Sequence, residues 1–241
     1  MKQNVFVHMP SFILLVFSYL LIALLFFVVY KKQQNPPKVW KGLLVMLIGI
    51  FSFSIHFNLS SEVTKIPILP LGVVFLYWFL RRKGNTERWS RYRRYAWLGF
   101  WVNFIFLAFS FLNSPLEHLM FPKDQPSTYM QDVEKASLII THPAGKDVTL
   151  NNEVLQVQVD KMKQNQIKYE SWYYKINEKN GYKERFPYLL TGTVPEKGSG
   201  LETVIYVEDD GKGFLITPNN GGQVYFRSEE SVLTGGAEKS E

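Results

Sequence analysis

Histidines and polar side chains set among apolar residues are the first groups in this sequence that could do chemistry. His8, His56 and His118 each lie beside an apolar run. Imidazoles brought to one depth, with Glu117 and Asn58 nearby, could ligate a metal ion or haem. These histidines fall on different segments, however, and no HExxH or comparable spacing joins them. The chain has no cysteine, which excludes disulfides, thiolate metal sites and cysteine nucleophiles. EDDGKG at 208–213 carries acids but lacks the alternating spacing and later bidentate Glu of a calcium loop, so it reads as a hairpin turn. No GxSxG elbow, phosphate loop or recognisable acid pair is present. The sequence therefore nominates no catalytic, cofactor or metal residue, and a non-enzymatic role is the leading expectation.

A second group is basic. RRKGNTERWSRYRRYAW, 81–97, contains Arg81, Arg82, Lys83, Arg88, Arg91, Arg93 and Arg94 against the single acid Glu87. Nucleic acid, lipid headgroups and a topology anchor all suit such a run, and its setting decides between them. Residues 1–113 hold 13 Lys and Arg and 2 acids, whereas residues 114–241 hold 14 and 19. The net charge of +6 thus averages a strongly basic, apolar half and an acidic, soluble-looking half.

Four apolar runs fill the first half, at about 11–30, 42–59, 66–80 and 96–114. A bilayer core of about 30 Å needs roughly 20 helical residues. The first run fits, and KKQQNPPK follows it rather than a signal-peptide cleavage site. The third is short, with Pro67 and Pro70 near its start. Basic linkers flank the runs at 31–41 and 81–95, and positive segments favour the cytoplasm. Both linkers share a side only if runs two and three both cross or both stay out. The expectation is a four-helix transmembrane domain over 1–114 with both termini extracytoplasmic. The 81–97 run then becomes a cytoplasmic loop that anchors topology and meets anionic lipid headgroups. Tyr30, Trp40, Tyr77, Trp78, Trp89, Tyr92, Tyr95 and Trp97 form an aromatic belt at that level. A short loop pinned to a membrane at both ends is a poor groove reader, so no nucleic-acid partner is expected.

Within the bundle, Gly49, Ser52 and His56 share a face of run two, beside Ser54 and Asn58. Ala96, Gly99, Asn103, Ser110 and Ser114 share a face of run four. Small and polar faces let helices approach and hydrogen-bond. Packing is favoured over a substrate path, because no acid, Lys or Arg lies inside a run.

Pro115, Pro122 and Pro126 mark 115–131 as a linker to an α+β domain over 132–230, followed by a flexible tail at 231–241. A strand at 136–143 and a helix at 148–165, N-capped by Asn151 or Asn152, open the domain. Strands at 168–176, 185–194, 202–209, 213–217 and 222–228 follow as an antiparallel meander, with Asp-Gly and Asn-Asn-Gly turns. Trp172, Tyr173 and Tyr174 run consecutively, so one ring must face away from the covered side and offers a partner surface. The expected function is a membrane anchor carrying an extracytoplasmic domain that binds or senses a protein or envelope partner. A membrane enzyme or metal protein around His56 and His118, and a small transporter, are the alternatives.

Overall fold

The computed structural model describes residues 8–59, 62–82, 86–166 and 184–235. Helices come first and a small sheet-rich domain follows. The chain divides into two compact units, Pro10–Leu116 and Glu117–Glu241, the latter joined by Met1–Met9.

In the helical unit, α1 (Met9–Lys31) is a single apolar helix ending on a lysine. Next come α2 (Val39–Gly49) and a hairpin of β1 (Phe53–Leu59) and β2 (Glu62–Leu69). The hairpin leads to α3 (Leu71–Arg81) and then α4 (Thr86–Phe111). Two stretches, Met9–Lys31 and Thr86–Met120, are long and apolar enough to cross a membrane. The helices expected over 42–59 and 66–80 do not form as such. From Phe51 onward, Phe53, Ile55 and Phe57 alternate with Ser52, Ser54 and His56, which is the two-residue period of a strand. Ile66 and Ile68 favour β structure, and Pro67 lacks the donor a helix needs. The basic segment also differs from the expected loop. Thr86–Tyr95 forms the first turns of α4, with Glu87 in the first turn where the helix dipole favours an acid. Lys83 lies outside the described residues.

Backbone contact holds α2, α3 and α4 together. A Cβ on Gly49 would fall 2.2 Å from the Ala96 carbonyl oxygen, and one on Gly99 2.0 Å from that of Met46. On Gly72 it would fall 1.9 Å from the Ile48 oxygen. Tyr95, Ala96, Val45, Val73, Leu76 and Phe100 fill the space beside this crossing. α1 joins through side chains, with Phe26 against Tyr95, Tyr19 against Phe106, and Ile22 in a cluster with Met46, Leu98 and Val102.

α5 (Asn113–Met120) carries the chain from the first unit into the second, where a 3-10 turn at Pro126–Thr128 follows. Phe121, Thr128, Tyr129 and Met130 are buried, so the expected linker at 115–131 contributes core residues instead. The helix expected over 148–165 is shorter. β4 (Thr149–Leu150), α6 (Asn152–Val159) and β5 (Lys163–Asn165) share that span. Asn151 is the N-cap, its side chain accepting from the Val154 N–H at 3.1 Å. The remaining strands are β3 (Ser137–Ile140), β6 (Tyr188–Thr191), β7 (Thr203–Val207), β8 (Gly213–Pro218), β9 (Val224–Arg227) and β10 (Leu233–Thr234). A six-stranded antiparallel sheet runs in the order β3-β6-β7-β8-β9-β5. β10 pairs with β4, and Val232 is fully buried, so the tail expected to be loose is anchored to this point. Leu155 and Val159 of α6 close over Ile205, Val207, Phe214, Ile216 and Phe226 on one sheet face. Phe186, Leu215 and Tyr225 cover part of the other face. The strand expected over 168–176 lies outside the described residues.

Candidate functional site

The polar residues singled out in the first half occupy three different settings. Asn103 is the most constrained. α2 ends near the middle of α4, leaving carbonyls without helical partners. The Asn103 amide donates to Ile50 O at 2.9 Å and to Phe100 O at 3.1 Å. The Gly72 N–H donates to Phe51 O at 2.7 Å. One side chain and one glycine N–H thus satisfy the backbone where helix gives way to strand. Ser52 and Ser54 lie 3.4 Å apart beside the hairpin. Ser54 pairs with Pro67 and His56 with Lys65 on one face of the hairpin; Ile55 pairs with Ile66 and Phe57 with Thr64 on the other. Asn58 pairs with Val63 in the same ladder. Pro67 is buried and Ser54 half-buried, whereas Phe53, Ile55 and Phe57 are exposed. Ser110 donates to Leu107 O and borders a groove of about 260 Å³ with Ser11, Ser18 and Asn113. The sequence grouped Ser52, His56, Asn58, Asn103 and Ser110 as one set; the hairpin separates them.

The basic residues also sort themselves. Arg81 and Arg82 stack over Tyr77 and Trp78, and Lys31 and Lys41 over Phe27 and Trp40. Arg88, Arg91, Arg93 and Arg94 line the start of α4. The Gln33 amide, in the first basic linker, donates to Arg91 O at 2.9 Å. The Tyr95 hydroxyl is buried with no hydrogen-bond partner among the described residues.

In the second unit two sites stand out. The first is an ion network on the sheet. Arg185 Nε donates to Glu208 Oε1 at 2.6 Å, and Arg227 donates to Glu208 Oε2 at 2.9 Å and to Asp210. Tyr225 donates its hydroxyl to the same Glu208 oxygen. Burial raises the Tyr225 pKa, and its hydrogen bond to Glu208 raises it further. Two guanidinia thus meet two carboxylates in this network. EDDGKG supplies its acids and forms the β7–β8 turn, where the Glu208 N–H donates to Gly213 O at 2.8 Å. No local pattern signals this cluster, because its ion pairs join residues 17 to 23 positions apart that meet only once the sheet has formed.

The second is a cleft of about 180 Å³, bordered by Glu117, Lys123, Thr128, Tyr129, Ser199 and the 218–224 turn. Gly221 and Gly222 take φ of +88° and +82° there, with open space where a Cβ would be. Tyr129 is held protonated to higher pH by burial, then by Asp124 and Glu117. His8 approaches Glu117 at 3.9 Å within this unit. A positive lysine, a carboxylate, hydroxyls and open turn backbone suit recognition of a small polar group. His118 is exposed on α5. Among the described residues, no three His, Asp or Glu side chains converge as a metal site. Trp172, Tyr173 and Tyr174 lie outside the described residues. No protein-family model, curated protein or solved structure matches the chain.

Proposed function

We propose that this chain is a multi-pass cell-membrane protein whose helical unit anchors an extracytoplasmic binding or sensing domain, without enzymatic activity. The observation that carries this reading is the Gln33–Arg91 hydrogen bond, which ties the two basic linkers to one end of the helical unit. Positive segments at one end belong on the cytoplasmic side. His8 and Met9 belong to the same compact unit as the residues after Leu116. An even number of crossings between them satisfies that membership.

Two of those crossings are α1 and α4. The other two combine half-helices with the hairpin. Eleven residues of α2 rise about 16 Å, and the five residues from Phe51 to Ile55 add at most about 17 Å, together enough for a core of about 30 Å. His56 and Lys65 then stand at the outer surface. Irregular backbone at membrane depth is tolerated where protein covers it. Asn103 and Gly72 supply that cover at the break, and β2 lies against α4. The exposed Phe53, Ile55 and Phe57 side chains suit lipid. The acidic second unit would then face outward, with the cleft around Lys123 and Tyr129 as its binding site for a protein or envelope partner.

The absence of cysteine makes the test direct. Ser90→Cys, Thr64→Cys and Ala144→Cys are labelled in intact cells with a membrane-impermeant maleimide. Labelling at residues 64 and 144, with residue 90 reacting only after lysis, supports four crossings. Labelling at residue 144 alone means that the hairpin re-enters without crossing. Labelling at residue 90 alone overturns the orientation.

A further inference from the structure

Arg93 and Arg94 differ from the other cations at the basic end of the helical unit. Lys31, Lys41, Arg81 and Arg82 each stack on a ring of their own helix. Among the described residues, Arg93 and Arg94 have neither an acid within 4.0 Å nor a ring beneath them. Both are exposed, and they head an open groove of about 510 Å³. Val29 of α1 and Trp97, Leu98 and Trp101 of α4 form the rest of that groove. Arg93, Trp97 and Trp101 are spaced by four, so one helical stripe carries a cation and then two indoles. The indoles are braced: Trp97 packs edge-on to Phe100 at 5.9 Å, and Trp101 against Phe104 at 5.1 Å. Braced rings keep the groove open instead of folding into it.

We propose that this groove binds one anionic glycerophospholipid in the leaflet at the basic end. The phosphate sits between Arg93 and Arg94, whose planar guanidinia suit bidentate phosphate contacts. An acyl chain lies along Trp97, Trp101, Leu98 and Val29. A zwitterionic lipid would fill the apolar part equally but bring its own cation towards the arginine pair. A free phosphate would use the arginines and leave the indole walls uncovered. Basic pockets between membrane helices on this side are known settings for anionic headgroups. The proposal rests on the chain lying in a bilayer as described above, and it adds a defined site to a general positive surface.

The test uses the full chain in a neutral detergent, with dioleoyl-phosphatidylglycerol, dioleoyl-phosphatidylcholine and inorganic phosphate as probes, read by native mass spectrometry. One phosphatidylglycerol should be retained per chain in preference to phosphatidylcholine. Arg93→Gln with Arg94→Gln should weaken it by about twenty-fivefold, about fivefold for each arginine, and remove the preference. Arg81→Gln with Arg82→Gln removes the same charge outside the groove and should change binding by less than about twofold. Each single Arg93 or Arg94 variant serves if the double variant does not fold. Equal losses in the two double variants would mean diffuse surface attraction and overturn the site. Equal binding of the two lipids, or displacement of phosphatidylglycerol by millimolar phosphate, overturns it as well. A chain that stays monodisperse without detergent and retains neither lipid refutes the membrane reading itself, an outcome distinct from losing the groove alone.

Discussion

Replacing Asn103 with Leu tests whether one side chain secures the point where α2 stops being a helix. The Asn103 amide makes two bonds, but they are not equal. Phe100 O lies three residues back in the same helix, whereas Ile50 O belongs to the end of α2 and has left the helical ladder. Only the second bond joins two elements. A buried carbonyl left unpaired costs about 1–3 kcal/mol. Interhelical hydrogen bonds measured in membranes average about 0.6 kcal/mol and reach about 1.7. Leucine recovers part of this by packing its methyls where the amide stood. The expected net loss is about 1 kcal/mol, a factor of about five in the folding equilibrium. Asn103→Asp should be worse than Leu, since it keeps the shape but turns an acceptor toward the Ile50 carbonyl. Five of the six tryptophans, Trp40, Trp78, Trp89, Trp97 and Trp101, lie in the helical unit. Tryptophan emission during denaturant titration of the full chain in micelles therefore reports on this unit. If Asn103→Leu were as stable as the parent and Asn103→Asp no worse, Asn103 would not hold the break.

Other substitutions probe other parts of the fold. Gly72→Ala places a methyl 1.9 Å from the Ile48 oxygen, a backbone atom that cannot move alone; a loss of at least about 3 kcal/mol is expected in the same titration. Tyr95→Phe removes a buried hydroxyl that has no partner among the described residues and should stabilise the chain by about 1 kcal/mol. Glu208→Gln leaves Arg185 and Arg227 facing a neutral amide. Both guanidinia keep some water, so the cost should be about 2 kcal/mol, below that of a fully buried pair, measured by thermal unfolding of the full chain. Alkaline pH should act through Tyr225 and Tyr129, whose folded-state pKa values are raised chiefly by burial. The folded chain keeps these protons after the unfolded chain loses them. Their stabilisation is thus complete below about pH 10 and falls as pH rises through the folded values. Stability from denaturation curves should fall as pH rises above about 10, less steeply in Tyr225→Phe.

Much of this architecture was legible in the residues, and the failures have identifiable physics. The contrast between a basic apolar half and an acidic half survives as two compact units. The Asn151 cap and the Asp-Gly and Asn-Asn-Gly turns act locally, so sequence sufficed to place them. The 42–59 run is ambiguous in sequence because Gly49, Ser52 and His56 fit a helical face while residues 51–59 also alternate by two. Period alone does not choose between those fits. The break is chosen by tertiary partners: Asn103 and Gly72 become available only when α3 and α4 are in place. The start of α4 was hidden for a different reason. A run of charge suggests a loop, yet arginine is a good helix former and no Gly or Pro interrupts 86–98. Glu208 and its partners, like the cleft around Tyr129, depend on contacts across strands that no local pattern encodes.

The three glycines where α2, α3 and α4 cross have a further consequence. Side chains that touch can slide or repack, but peptide groups in direct contact cannot pass one another. These three elements must therefore move as one piece. Any shift inside the helical unit falls to α1, which meets them through side chains such as Phe26, Tyr19 and Ile22. The same constraint leaves a mark for comparing sequences. A distant relative can exchange nearly every apolar side chain and keep this fold, provided that it carries one glycine in each of the three elements and a short amide donor four residues after the last, as Asn103 follows Gly99.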